Sequence, residues 1–149
     1  MLPFIVLIAL FSILSFLSHF HLPVAFRWWT SLRLALSGMF LLTASAHWGK
    51  RRPDLIRMVP SVFPRPDLLV TFTGVLEILG AVGLMIRLPA PYAALGLSIM
   101  LLAVFPANVH AAGERLTIGG RQVPGLLPRT LLQIIFLVAT VTVFVASRR

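Results

Sequence analysis

Five runs of mostly apolar residues set what this chain can become. A helix needs roughly 20 such residues to cross the hydrocarbon core of a bilayer. The runs at about 4–22, 32–48, 68–86, 92–112 and 130–147 each approach that length. Composition agrees: 58% of the 149 residues are hydrophobic and only 11% are charged. A soluble domain carries about 45–50% and about 25% respectively. A chain this short has too little interior to hide the excess from water. The composition therefore argues against a soluble enzyme and against a disordered chain. The expected fold is all-α, an integral membrane helical bundle.

The formal charge is +9, from 13 Lys and Arg against 4 Asp and Glu. Nearly all the basic residues lie between or after the apolar runs. That placement suits headgroup-level anchors and topology determinants. No folded basic face with interleaved aromatics is visible, so no nucleic acid partner is expected. The bilayer is the first expected partner. There is no cysteine, so the chain forms no disulfide, thioether-bound haem or thiolate-held cluster. Any redox role has to use a partner protein or a bound cofactor.

Two linkers are long. Residues 49–67 are rich in Pro and Arg. Pro53 is placed to open a short helix with Asp54 in its first turn. Leu55, Ile56, Met58 and Val59 make that piece amphipathic, as suits the membrane interface. Residues 113–128 contain Gly119, Gly120, Pro124, Gly125 and Pro128 and read as an irregular loop. The first run lacks a basic leading segment and an A-x-A-like cleavage site, so residues 1–22 are expected to be retained as a helix.

The side holding both long linkers, side A, carries Lys50, Arg51, Arg52, Arg57, Arg65, Arg115, Arg121 and Arg129. The opposite side, side B, carries Arg27, Arg33, Arg87, Arg148 and Arg149. The bare count favours side A in the cytoplasm. Arg27 after the first helix and the terminal Arg148-Arg149 pair argue for side B. The two arguments nearly cancel.

Glu77 is the one acidic residue inside a run. An ionisable group at mid-span is costly and faces the bundle interior. Glu77 is therefore expected to be uncharged or paired at neutral pH. Val70, Thr73, Glu77, Gly80, Ala81 and Leu84 share one helical stripe, with Gly74 at its edge. Small residues there let neighbouring helices approach. The stripe is either a packing face with one hydrogen-bonded carboxyl or the wall of a proton or ligand site.

Other polar residues reach the same level from side A. His47 ends the second run, Asn108 and His110 end the fourth, and Arg129 and Gln133 begin the fifth. Glu77 lies nine residues inward from Leu68, about 13 Å along a helix. The simplest arrangement is a polar cavity open to side A, roofed by residues 49–67, with Glu77 at its floor. His47 and Gln133 are its expected polar neighbours. Asn108 and His110 point about 200° apart on an ideal helix. Periodicity aligns His110 with the small residues Gly96, Ala103 and Ala107, and so turns it inward instead of Asn108. Pro106 is placed to bend or break this helix. His47, Glu77 and His110 have the chemistry of metal ligands but no local spacing that supports one, so no metal is expected.

Several blocks occur in order: Ala46-His47-Trp48, Pro53-Asp54, Arg57-Met58-Val59-Pro60, Gly74-Val75-Leu76-Glu77-Ile78-Leu79-Gly80, Ala103-Val104-Phe105-Pro106-Ala107-Asn108, and Arg129 with Gln133. In these blocks residues 32–140 resemble the DoxX-like family of small membrane proteins. The resemblance implies a four-helix DoxX-like core at residues 29–149, and makes residues 1–28 an extra N-terminal transmembrane helix and its linker. It implies a multi-pass protein of the cell membrane with a cytoplasmic C-terminus, and side A outside. His110 is not part of the family pattern.

The resemblance also implies an accessory membrane subunit associated with a redox enzyme or the quinone pool; no cofactor is evident in the sequence, and a quinone is the one that the resemblance leaves open. One alternative is an assembly factor that packs against other membrane proteins and does no chemistry; a homo-oligomer is a separate partner to be tested. The other is a small transporter. Glu77, His47, Asn108, His110, Gln133 and Arg129 are the candidate residues of the polar cavity, and the transporter reading rests on Glu77 alone.

Overall fold

The computed structural model of the protein describes residues 2–21, 28–122 and 124–148. Arg27 and Arg149 of the charge balance, and the rest of residues 22–27 between the first two runs, lie outside the described residues. The chain runs α1 (Leu2–His21), α2 (Trp28–Ser45), α3 (Arg52–Met58), α4 (Pro66–Met85), α5 (Ala90–Ala103), α6 (Phe105–Gly113), β1 (Thr117–Ile118), β2 (Arg121–Gln122) and α7 (Leu126–Ser147). The five apolar runs correspond to α1, α2, α4, α5 with α6, and α7.

Proline sets several of the helix starts. Pro66 opens α4 with Asp67 in the first turn, and Pro53 opens α3 with Asp54 in its first turn and Arg57 in its last. A first-turn proline lacks an N–H that the helix would leave unpaired anyway, and an early carboxylate suits the positive end of the helix dipole. Pro106 has the opposite effect. It cannot donate to the carbonyl one turn back, and the fourth run breaks at Val104 into α5 and α6.

Four helices close a ring: α2 packs on α4, α4 on α5, α5 on α7, and α7 on α2. α1 lies outside the ring and packs chiefly on α2. The shared core joins Leu36, Met39 and Phe40 of α2, Ala81 and Leu84 of α4, Ala94 and Leu97 of α5, and Val143 of α7, with Leu7 of α1 reaching in. Two polar staples cross it. Ser37 Oγ donates to the Ala81 carbonyl at 2.7 Å, and Ser98 Oγ donates to Thr140 Oγ1 at 2.8 Å. Hydroxyls bridge helices in this way where no water competes.

The outer face is apolar as well. Leu79, Leu102 and Val138 are among many exposed aliphatic side chains. Among the described residues, Pro66–Met85, Ala90–Gly113 and Leu126–Ser147 are long and apolar enough to cross a membrane. The apolar stretch of α1, Leu2–Ser18, is shorter. α2 carries more polar residues, Arg33 and Ser37 among them.

Residues 113–128 differ from the irregular loop expected. Thr117–Ile118 and Arg121–Gln122 pair antiparallel as a small hairpin. Its turn is Gly119-Gly120, with φ of 58° and 75°. Two successive positive φ values suit a tight two-residue hairpin, and glycine reaches them without strain.

Candidate functional site

The site is built on α4. Val70, Gly74, Ala81 and Leu84 are its buried positions. Glu77 shares that face, with its side chain 13% exposed. The turn after α2 lies against it. The N–H groups of Ala46 and His47 donate to the carbonyls of Thr43 and Ala44, which carries the chain over α4. Gly74 makes room for this turn. A Cβ there would lie 2.7 Å from His47 Cβ and 2.8 Å from the Trp48 ring.

His47 Nδ1 lies 3.3 Å from the Thr43 carbonyl oxygen. A carbonyl only accepts, so Nδ1 carries the hydrogen. The same nitrogen is 3.9 Å from Glu77 Oε2, too far for a hydrogen bond. Glu77 Oε2 is buried and has no hydrogen-bond partner among the described residues. Arg52 holds the His47 turn in place. It donates to the His47 carbonyl at 2.8 Å, to Thr71 Oγ1 at 2.9 Å and to the Asp67 carbonyl at 3.2 Å. The sequence reading grouped Arg52 with the headgroup anchors, because nothing in a Lys-Arg-Arg run separates a bracing residue from a surface one.

Above Glu77 lies a cavity of about 790 Å³. Thr43 and His47 line it from the α2 side, Thr73, Leu76 and Glu77 from α4, Met100 from α5, and Pro106 and Asn108 from α6. Met58 and Val59 close it from α3. The lining is overwhelmingly apolar, with a few polar groups at its wall. Cavities of this volume and character hold small lipophilic molecules.

A second polar cluster joins α5, α6 and α7. Asn108 Nδ2 donates to Gln133 Oε1 at 2.6 Å, and Arg129 Nη2 donates to Asn108 Oδ1 at 2.5 Å. Gln133 Nε2 donates to the Leu101 carbonyl at 2.5 Å, beside the break at Val104.

Two expectations are corrected here. Asn108, not His110, turns into the bundle. His110 does not line the cavity. The stripe itself continues through the Val104 break, since Gly96, Ala103 and Ala107 all line the cavity, but the cavity ends before His110. Gln133 is not a neighbour of Glu77 either. Its amide is engaged by Leu101 and Asn108, and neither Gln133 nor Arg129 lines the cavity. The structure thus brings His47 to Glu77, and gathers Asn108, Arg129 and Gln133 separately.

The roof is tied down by Asp54. Its carboxylate accepts from the Gly119 N–H at 2.8 Å and from Arg57. The Gly119 bond, then Arg57, hold this carboxyl below its ordinary range. α3 and the hairpin are thereby joined over the cavity, and Ile118 reaches its lining.

Among the described residues, no three His, Asp or Glu side chains gather into a group suited to a metal ion. No curated protein and no solved structure matches the chain. A family profile matches residues 36–146, from within α2 to near the end of α7. The chain belongs to that family, which is described as a domain of unknown function, DUF8561.

Proposed function

We propose that this protein is an accessory subunit of the cell membrane that holds a lipid-soluble molecule with a small polar ring, of the quinone class, for a redox partner. One observation carries the reading: Glu77 Oε2 is buried without a hydrogen-bond partner in the wall of a large apolar cavity. An unpartnered buried polar atom costs stability, and such costs cluster at ligand sites. The quinone class fits the residues present. A carboxyl accepts from a quinol hydroxyl and, when protonated, donates to a quinone carbonyl. His47 offers a second polar group beside it, and the apolar lining suits the ring. When bound, a quinone supplies two-electron redox chemistry. The chain's own residues bind the ring, orient it and keep water out.

Five helices crossing the membrane, a DoxX-like core of four and a cytoplasmic C-terminus belong to the same proposal. The closed ring of α2, α4, α5 and α7 supports the core, and Arg148 after α7 supports the orientation. A phosphatase fused after the C-terminus is expected to be inactive, and an active fusion overturns the orientation.

The cavity reading is tested with purified protein in detergent. A tailless methoxybenzoquinone is expected to quench Trp48, which stands beside His47 with its ring centroid 6.0 Å away. Trp28 and Trp29 are replaced by Phe so that Trp48 alone reports. Saturable quenching that Glu77→Leu weakens supports the reading. No saturable quenching overturns it.

A further inference from the structure

α4 and α5 touch at one end and part at the other. A Cβ on Gly80 would lie 2.5 Å from Leu97 Cδ2, and a Cβ on Gly83 would lie 2.7 Å from Ala93 Cβ. Those contacts fix the antiparallel register and put Glu77 level with Ile99 and Met100. From that level toward α6, the cavity lies between the two helices. Phe72, Gly96 and Ile99 all line it. Yet Phe72 is 60% and Ile99 59% exposed on the outer surface. A Cβ on Gly96 would meet nothing within 4 Å. A residue that is both cavity wall and outer surface marks a mouth. This mouth opens among the exposed apolar side chains of α4 and α5, such as Leu95 and Leu102.

We propose that the gap between α4 and α5 is a lateral portal. Through it a molecule with an uncharged hydrogen-bonding head and a long apolar tail enters from the bilayer. Its head goes to Glu77 and His47, and its tail stays between Phe72, Gly96 and Ile99. This inference rests on the cavity reading above and adds the route and the tail. Three observations favour it. The side A approach is partly roofed, because Asp54 ties α3 to the hairpin and Arg52 ties the His47 turn to α4, with Arg51 and Phe63 among the exposed lining residues left there. The mouth is apolar and sits in a helix pair suited to cross a membrane, where only lipid and lipid-soluble molecules have access. The carboxyl in the wall suits an uncharged hydrogen-bonding head in either protonation state, because it donates when protonated and accepts when ionised.

The test uses the full chain in nanodiscs and three probes: a tailless methoxybenzoquinone, the same ring with a decyl tail, and a fatty acid. Trp48 quenching reads the quinones, and competition reads the fatty acid. Gly96→Phe adds bulk at the mouth, at a position where a Cβ meets nothing within 4 Å. It is expected to weaken the tailed quinone about tenfold and to leave the tailless ring nearly unchanged. Equal weakening of both, or of neither, overturns the portal and leaves the cavity reading standing. Failure of the wild type to bind either quinone overturns both. Tighter binding of the fatty acid than of the tailed quinone overturns the uncharged head. A measurement on the wild type covers the case in which Gly96→Phe does not fold. A tailed quinone with a photoreactive group at its tail end is expected to label residues 72–79 or 95–102. Labelling confined to α3 or to the hairpin overturns the portal.

Discussion

Gln133 reaches from α7 to the carbonyl oxygen of Leu101 on α5, with Nε2 2.5 Å away. The bond sits where Pro106 interrupts the fourth run, so a side chain supports a stretch of backbone that the helix itself leaves weaker. Gln133→Leu removes this bond and the one to Asn108 together. It leaves two buried polar groups unpaired. The expected loss of stability is about 1–2 kcal/mol, within the range for interhelical bonds in membranes. Thermal unfolding in mild detergent checks it, and an unchanged midpoint means the cluster does not hold α7 to α5.

Gly74 and Gly96 should respond oppositely to the same substitution. A Cβ at Gly74 would press on His47 and Trp48, whereas one at Gly96 meets nothing. Gly74→Ala is expected to cost about 1–3 kcal/mol by overpacking. Gly96→Ala is expected to be neutral, or stabilising by about 0.5–1 kcal/mol, because alanine favours the helix. Unfolding midpoints of the two variants decide it. Equal effects would place the His47 turn elsewhere.

The hairpin contact should depend on pH through Asp54. Its carboxyl is held low in the folded protein by the Gly119 N–H and Arg57. The stabilisation is therefore present above the ordinary aspartate range and is lost as pH falls through the lowered folded value. The Gly119 amide resonance, followed by NMR from neutral pH downward, is expected to shift with a midpoint below that of an ordinary aspartate. Asp54→Asn should abolish the shift. A midpoint at or above the ordinary value would mean that the bond from α3 to the hairpin does not form.

The apolar runs and prolines made most of the fold legible. Run length located α4, α5 with α6, and α7, and Pro53 with Asp54 located α3. The stripe through Glu77 gave the inner face of α4, and the roof over it followed from the linker composition. What failed lay at the end of the fourth run. Pro106 marks the break and the stripe Gly96, Ala103 and Ala107 does face the cavity, but no residue type encodes where along α6 the cavity ends or that Arg129 and Gln133 of α7 draw Asn108 toward them. Gln133 misled for a related reason. Its depth was read correctly, but a freed carbonyl on α5 claimed its amide, and sequence does not show which carbonyls are free. Gly119-Gly120 was a readable hairpin signal, obscured by the prolines and glycines around it.

Glu77 is expected to serve binding at the expense of stability. Its Oε2 is buried without a partner, and burying such an atom costs about 1–3 kcal/mol. Removing the carboxyl takes one partner from the Thr43 hydroxyl, which keeps another. Thr43 Oγ1 donates to the Phe40 carbonyl at 3.0 Å, and His47 Nδ1 keeps the Thr43 carbonyl. Glu77→Leu should therefore fold with a midpoint equal to or above that of wild type. Glu77→Gln keeps the shape and a donor, and should fold like wild type. Binding should separate the two. The leucine variant loses quinone-ring affinity, while the glutamine variant retains part of it through its amide. The decisive data are unfolding midpoints and Trp48 quenching for all three proteins. A leucine variant that is clearly less stable than wild type, yet binds equally well, would make Glu77 a structural carboxyl and would remove the basis for a ligand in the cavity.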